Sequence, residues 1–109
     1  MRHLPAFLDI AGRPCLVIGG GEVAARKIVL LERAGGRVHV TSPELVPSLS
    51  RGVAAGRIRH LSDTFIPEQM DGHAVVIAAT DDRALNARVS WEARQRGIPV
   101  NVVDDPTLC

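Results

Sequence analysis

Residues 15 to 27, Cys-Leu-Val-Ile-Gly-Gly-Gly-Glu-Val-Ala-Ala-Arg-Lys, pass from an apolar run through three glycines into helix-forming residues. That order predicts a buried strand, a tight turn and a helix N-terminus in immediate succession. Gly19, Gly21 and Ala24 fit the G-x-G-x-x-G/A spacing of dinucleotide sites, in which one position makes the turn, one lets a pyrophosphate approach and one lets helix and strand pack closely. The first-turn amides of the helix, unpaired within it and at the positive end of its dipole, would hold the anion. Three glycines after a strand also suit an ordinary strand-to-helix connection, so the remaining residues must discriminate.

At 109 residues the chain is expected to form one domain, able to bury about 65% of its unfolded surface without disulfide or metal support. Of its two cysteines, Cys15 lies in the first apolar run and Cys109 is the last residue. Neither a C-x-x-C pair nor a disulfide framework results, which predicts a reducing, cytoplasmic setting. Pro5 and Asp9 interrupt the apolar character of the first ten residues, and no apolar stretch approaches membrane-spanning length, so a soluble protein without a membrane partner is expected. A net charge of +1 and an aromatic content of 3% supply neither the field nor the stacking platforms of a nucleic-acid binder.

Apolar and helical segments alternate, as in βαβ units around a parallel sheet. Strands are predicted near 14–18, 37–41, 57–61, 74–79 and 98–103. Val23, Ile28, Leu31 and Ala34 give a helix over 22–34, ended by Gly35-Gly36. A second helix is predicted from Pro43 to Gly56, and a third from a cap at Asp81 or Asp82 to Arg96, with Gly97 and Pro99 beyond it. Right-handed crossovers then favour an α/β, Rossmann-like doubly wound sheet in the order 3-2-1-4-5, its ligand crevice at the carboxyl ends of strands one and four.

Around that crevice the candidate cofactor contacts are Gly19, Gly20, Gly21, Glu22, Val23 and Ala24. After strand two come Thr41, Ser42, Pro43 and Glu44, where a dinucleotide site usually keeps a ribose-binding acid at the strand end. The acid is missing from that end, and no arginine follows to attract a 2′-phosphate, which favours NAD over NADP. Glu44 either reaches the ribose or complements a helix dipole as a solvated first-turn acid. After strand four, Ala79 and Thr80 offer a small residue and a hydroxyl, and Asp81 lies beside them; tight packing and helix capping would explain the same residues. Asp104 and Asp105, at the end of strand five, alternate in direction, so one at most faces the cofactor; an Asp before Pro106 also makes an ordinary turn. His3, His39, His60 and His73 show no metal-ligand spacing. Trp91 is expected in a core or an interface.

Leu4-Pro5-x-Phe7, Gly19 to Lys27, Ala78-Ala79-Thr80-Asp81-Asp82 with Asn86, and Asn101-Val102-Val103-Asp104 together resemble the N-terminal module of the siroheme synthase family. The resemblance spans essentially the whole chain. It implies an NAD-dependent precorrin-2 dehydrogenase that is also a sirohydrochlorin ferrochelatase, taking a tetrapyrrole and Fe²⁺ as substrates. It implies that Asp104 is the key carboxylate, acting as base, assisting chelation and transiently holding Fe²⁺; that Glu22 and Val23, and Pro43 and Glu44, contact the cofactor; and that no conventional ribose acid is needed. Family members continue beyond the position of Cys109 into a segment for dimerisation and substrate binding, so residues 1–109 are expected to be the NAD-binding domain alone and this short form to be weakly active. A non-catalytic NAD-sensing domain and a fragment of another NAD(P)-dependent oxidoreductase are the competing expectations.

Overall fold

A computed structural model describes residues 8–103. The elements in chain order are β1 (Pro14–Ile18), α1 (Glu22–Arg33), β2 (Arg37–Thr41), α2 (Pro47–Ala54), β3 (Ile58–Ser62), a 3-10 turn (Pro67–Met70), β4 (Val75–Ala78), α3 (Arg83–Gln95) and β5 (Val100–Val102). The five strands form one parallel sheet in the order β3-β2-β1-β4-β5, as the alternation of apolar and helical segments predicts.

β1 and β4 sit at the centre, and Cys15 to Ile18 and Val75 to Ala78 are all buried. Such strands need apolar side chains on both faces, which explains their continuous apolar runs. On one face Cys15, Val17, Val38 and Val40 pack with Ala24, Ile28 and Leu31 of α1 and Leu49 of α2. On the other, Leu16, Ile18 and Val76 pack with Val89 and Ala93 of α3 and with Phe65 and Met70 from the β3–β4 crossover. Burial raises the Cys15 thiol above its ordinary pKa, nearby Arg13 and Arg37 opposing this only in part, and leaves it a packing residue.

The start of the second helix needs correction. The second helix begins at Pro47, not Pro43. Either proline suits a first helical position, but the intervening residues are held elsewhere: Ser42 N–H continues the sheet by donating to Ser62 O (3.0 Å), and Val46 N–H donates to Gly20 O (2.8 Å). Glu44 is therefore a loop residue and not a first-turn acid. Of the two places expected for Trp91, the core is excluded, since it is 60% exposed on the solvent side of α3, whose buried face is set by Asn86, Val89, Ser90 and Ala93. The β3–β4 crossover carries only the 3-10 turn, where the sequence analysis places no helix.

Candidate functional site

The carboxyl ends of β1, β2 and β4 open into a cleft of about 860 Å³, within the size range of small-molecule sites. Its floor is the glycine turn. Gly19 has φ +129°, and a Cβ there would run into the Ala79 carbonyl, so β1 can pass the end of β4 only with glycine. Gly20 is equally confined, since a Cβ would overlap the Glu44 carbonyl and meet Ser42 Oγ at 2.7 Å. Gly21 differs: a Cβ would meet nothing within 4 Å. Its lack of a side chain answers no need of the chain's own packing and leaves the approach to the helix end clear.

That helix end has no side-chain cap. The N–H groups of Gly21, Glu22, Val23 and Ala24 have no partner within α1, because they precede its first full turn. Unpaired donors, a positive dipole end and a clear approach form an anion cradle in which backbone amides do the holding.

The loop after β2 forms one wall. Ser42 Oγ donates to the Glu44 carbonyl (2.7 Å) and a ring N–H of His60 donates to the Ser42 carbonyl (2.8 Å), so the loop is braced from both directions. Ser42, Pro43 and Glu44 line the cleft. Thr41 does not: it is buried, and its hydroxyl donates to Gln69 Oε1 (2.8 Å). The loop after β4 forms the opposite wall through Ala79, Thr80, Asp81 and Asp82. Asp82 caps α3 by accepting from Leu85 N–H (3.0 Å). The Thr80 hydroxyl is engaged inside this loop and is not free for a ligand: it donates to Asn86 Oδ1 (2.7 Å) and accepts from Asp82 N–H (3.1 Å).

Of the expected contacts, Gly19 to Val23, Ser42 to Glu44 and Ala79 to Asp81 meet around one cleft, whereas Ala24 and Thr41 lie outside its lining. Ala24 is fully buried against the sheet, in the packing role the motif gives its third small residue. Asp104 lies outside the described residues, as do Leu4, Pro5 and Phe7 of the first motif; Val103, next to Asp104 in sequence, lines the cleft. Leu45, Val46, Asp82 and Leu85 also line it. Leu45 and Val46 escape the sequence reading because a helix assigned from Pro43 absorbs them. The lining contains Glu22, Glu44, Asp81 and Asp82 and no lysine or arginine among the described residues. No group of three or more His, Cys, Asp or Glu suited to a metal ion occurs among the described residues, and no helix there is long and apolar enough to cross a membrane.

A parallel sheet whose strand order reverses between β1 and β4, with a glycine turn under an uncapped helix end at that crevice, defines a dinucleotide-binding domain of the Rossmann type. The family model described as "Putative NAD(P)-binding" matches residues 6–109, and the chain belongs to that family. It is 59% identical over 109 residues to the siroheme synthase of Methylobacillus flagellatus and 50% identical over 110 residues to that of Nitrosomonas europaea, in each case covering 100% of this chain and 23% of the relative. The chain thus spans about a quarter of the length of these curated relatives. The resemblance carried by the motifs is borne out. Among solved structures, "SirC, precorrin-2 dehydrogenase" superposes with a TM-score of 0.75 at 30% identity, over 86% of this chain and 46% of that one. "TcdA (CsdL)" superposes at 0.62 with 20% identity, over 90% of this chain and 54% of that one, and shares the fold alone.

Proposed function

We propose that residues 1–109 are the NAD-binding domain of a siroheme-forming enzyme and take part in the oxidation of precorrin-2 to sirohydrochlorin. The observation that carries this reading is the open, side-chain-free approach at Gly21 to the uncapped end of α1, in a chain whose relatives are siroheme synthases and a precorrin-2 dehydrogenase. The Glu22 and Val23 amides hold the pyrophosphate, Ser42, Pro43 and Glu44 face the adenosine ribose, and Ala79, Thr80 and Asp81 flank the other half of the dinucleotide. NAD⁺ bound there supplies the hydride acceptor. Precorrin-2 loses a hydride and a proton, and Asp104 is the base that takes the proton.

A free aspartate has a pKa near 3.9, so Asp104 needs partial desolvation or a substrate already disposed to lose its proton. The acid-lined cleft disfavours a 2′-phosphate, which selects NAD over NADP. Its described lining also holds no lysine or arginine for a carboxylate-rich tetrapyrrole, so that recognition is assigned to other parts of the protein. Fe²⁺ insertion by way of Asp104, a homodimer of the longer protein and a cytoplasmic location are further parts of the proposal. They are supported by the biosynthetic relatives and, for the dimer, by Trp91 lying open on α3.

The test is NADH formation from precorrin-2 and NAD⁺ without oxygen, together with calorimetric titration of NAD⁺. Asp104→Ala is expected to keep NAD⁺ affinity within about threefold and to abolish turnover. Loss of NAD⁺ binding in that variant would make Asp104 a cofactor or structural residue. Binding without turnover in the parent chain would fit both a shortened enzyme and a sensing role, which the same assay on a chain extended as in the longer relatives separates.

A further inference from the structure

Asn86 lies in the first turns of α3 and is 5% exposed, on the face that otherwise buries Val89, Ser90 and Ala93. None of its side-chain hydrogen bonds serves the helix. Its Oδ1 accepts from Thr80 N–H (3.2 Å) and from the Thr80 hydroxyl (2.7 Å), and its Nδ2–H donates to the Thr80 carbonyl (2.9 Å). One buried amide therefore ties the donor, the acceptor and the hydroxyl of a single loop residue. The helix does not need it as a cap, because Asp82 already fills that place. Burying an amide costs free energy unless its bonds are made, and here every bond made fixes the wall of the cleft.

Dinucleotide sites set the adenosine ribose at the end of the second strand and the pyrophosphate at the first turn. The wall formed by Ala79 to Asp82 then faces the nicotinamide half. We propose that Asn86 is a positioning residue: it touches no ligand, and by fixing Thr80 it sets the backbone surface against which the nicotinamide ring rests. This inference depends on the cleft being an NAD site. It adds a division of labour, in which the loops at Gly21 and Ser42 hold adenosine diphosphate and the Asn86 clamp serves the nicotinamide ring.

The experiment compares NAD⁺ with ADP-ribose, which lacks the nicotinamide, by calorimetry on the 109-residue chain, its Asn86→Ala variant and a Val89→Ala variant. Val89 is buried in the same helix, in a cluster with Leu16, Ile18, Phe65 and Val76 that includes none of residues 79–82, so its truncation weakens the fold without removing a bond of the clamp. Asn86→Ala is expected to lose about tenfold in NAD⁺ affinity while ADP-ribose binding stays within about twofold. Val89→Ala is expected to bind both ligands as the parent does. Equal weakening of both ligands by Asn86→Ala, or the same selective loss in Val89→Ala, would overturn the positioning role. If the parent binds neither ligand, the reading of the cleft itself fails, a result separate from those two. Should Asn86→Ala not fold, the parent chain still decides by NMR. The amide signals of Thr80 and Asp81 should respond to NAD⁺ and much less to ADP-ribose, and equal responses would refute the proposal.

Discussion

At the scale of single residues, the three consecutive glycines have three different reasons to be glycine. Gly19 is fixed by a positive φ and by Ala79, Gly20 by the loop that closes over it, and Gly21 by nothing in the chain itself. Only Gly21 is free of a packing reason, which in the proposed binding mode makes it the position where fold and binding separate. Gly21→Asp retains a common helix-capping residue in open space, so its thermal midpoint should stay within a few degrees of the parent's. The new carboxylate stands where the pyrophosphate approaches, and NAD⁺ affinity should fall at least about a hundredfold. Calorimetry with a melting curve on the same sample checks both, and normal NAD⁺ binding would mean the cofactor lies elsewhere. The sequence motif marks these glycines as a set. It does not divide their roles, because the atoms that crowd Gly19 and Gly20 come from residues 79 and 44, remote in the chain.

At the scale of elements, the segment from β3 to β4 spans the sheet without an α-helix and is held instead by polar contacts to β2. Thr41 bonds Gln69, and His39 Nδ1 lies 2.9 Å from His73 Nε2 with the rings edge to face. His73 Nδ1 is 3.3 Å from Met70 O, which makes that nitrogen the donor and His73 Nε2 the acceptor for a proton on His39 Nδ1. His73 must be neutral for this arrangement, since a proton on its Nε2 would remove the acceptor. Burial lowers the pKa of each first, His73, Arg59 and Arg37 adding to it at His39 and Arg37 at His73, while backbone hydrogen bonds from Met70, Asp71 and Gln69 partly oppose it at His73. A histidine with a lowered folded pKa leaves the unfolded chain binding more protons. Stability is then full above the ordinary value of 6.5 and declines as pH falls from there through the lowered folded values. Urea unfolding at about pH 7.5 and about pH 5.5 should show that decline, and His39→Gln/His73→Gln should flatten it. An unchanged slope in the double variant would remove the pair as its cause. This contact escaped the sequence reading, in which His39 and His73 are scattered residues. Their pairing depends on β2 and β4 sharing β1 as neighbour, a tertiary fact. By contrast β1, β4 and α1 were legible because continuous apolar runs and helical periodicity are local signals, and the shift of α2 from Pro43 to Pro47 records where a tertiary bond, Val46 to Gly20, outweighed one.

At the scale of the whole molecule, the sheet order puts the ends of β1, β2 and β4 side by side, so one ligand can bridge loops that are far apart in sequence. The topology was readable from the alternation of segments. The acid lining was not, because Glu22, Glu44, Asp81 and Asp82 gather only when the three loops converge. That lining gives the domain a preference measurable as stability. A ligand that binds the folded chain alone stabilises it by RT ln(1 + [L]/Kd), about 2.7 kcal/mol at a hundred times Kd. For a domain of this size that corresponds to a rise in melting temperature of about 10–15 °C. NAD⁺ should produce a rise of that order, and ADP-ribose about half of it at the same concentration, since in the proposed binding mode it keeps the pyrophosphate and lacks the nicotinamide contacts. NADP⁺ at the same concentration should give less than half of it, because its 2′-phosphate must enter beside the Glu44 loop with no lysine or arginine in the described lining to receive it. Raising the salt concentration should narrow the gap between the two cofactors, as expected for repulsion between partly exposed charges. An equal rise with NADP⁺ would show that the carboxylates point away from the ribose. A gap that ignores salt would assign the preference to shape, with Pro43 and Leu45 closing the space the phosphate needs.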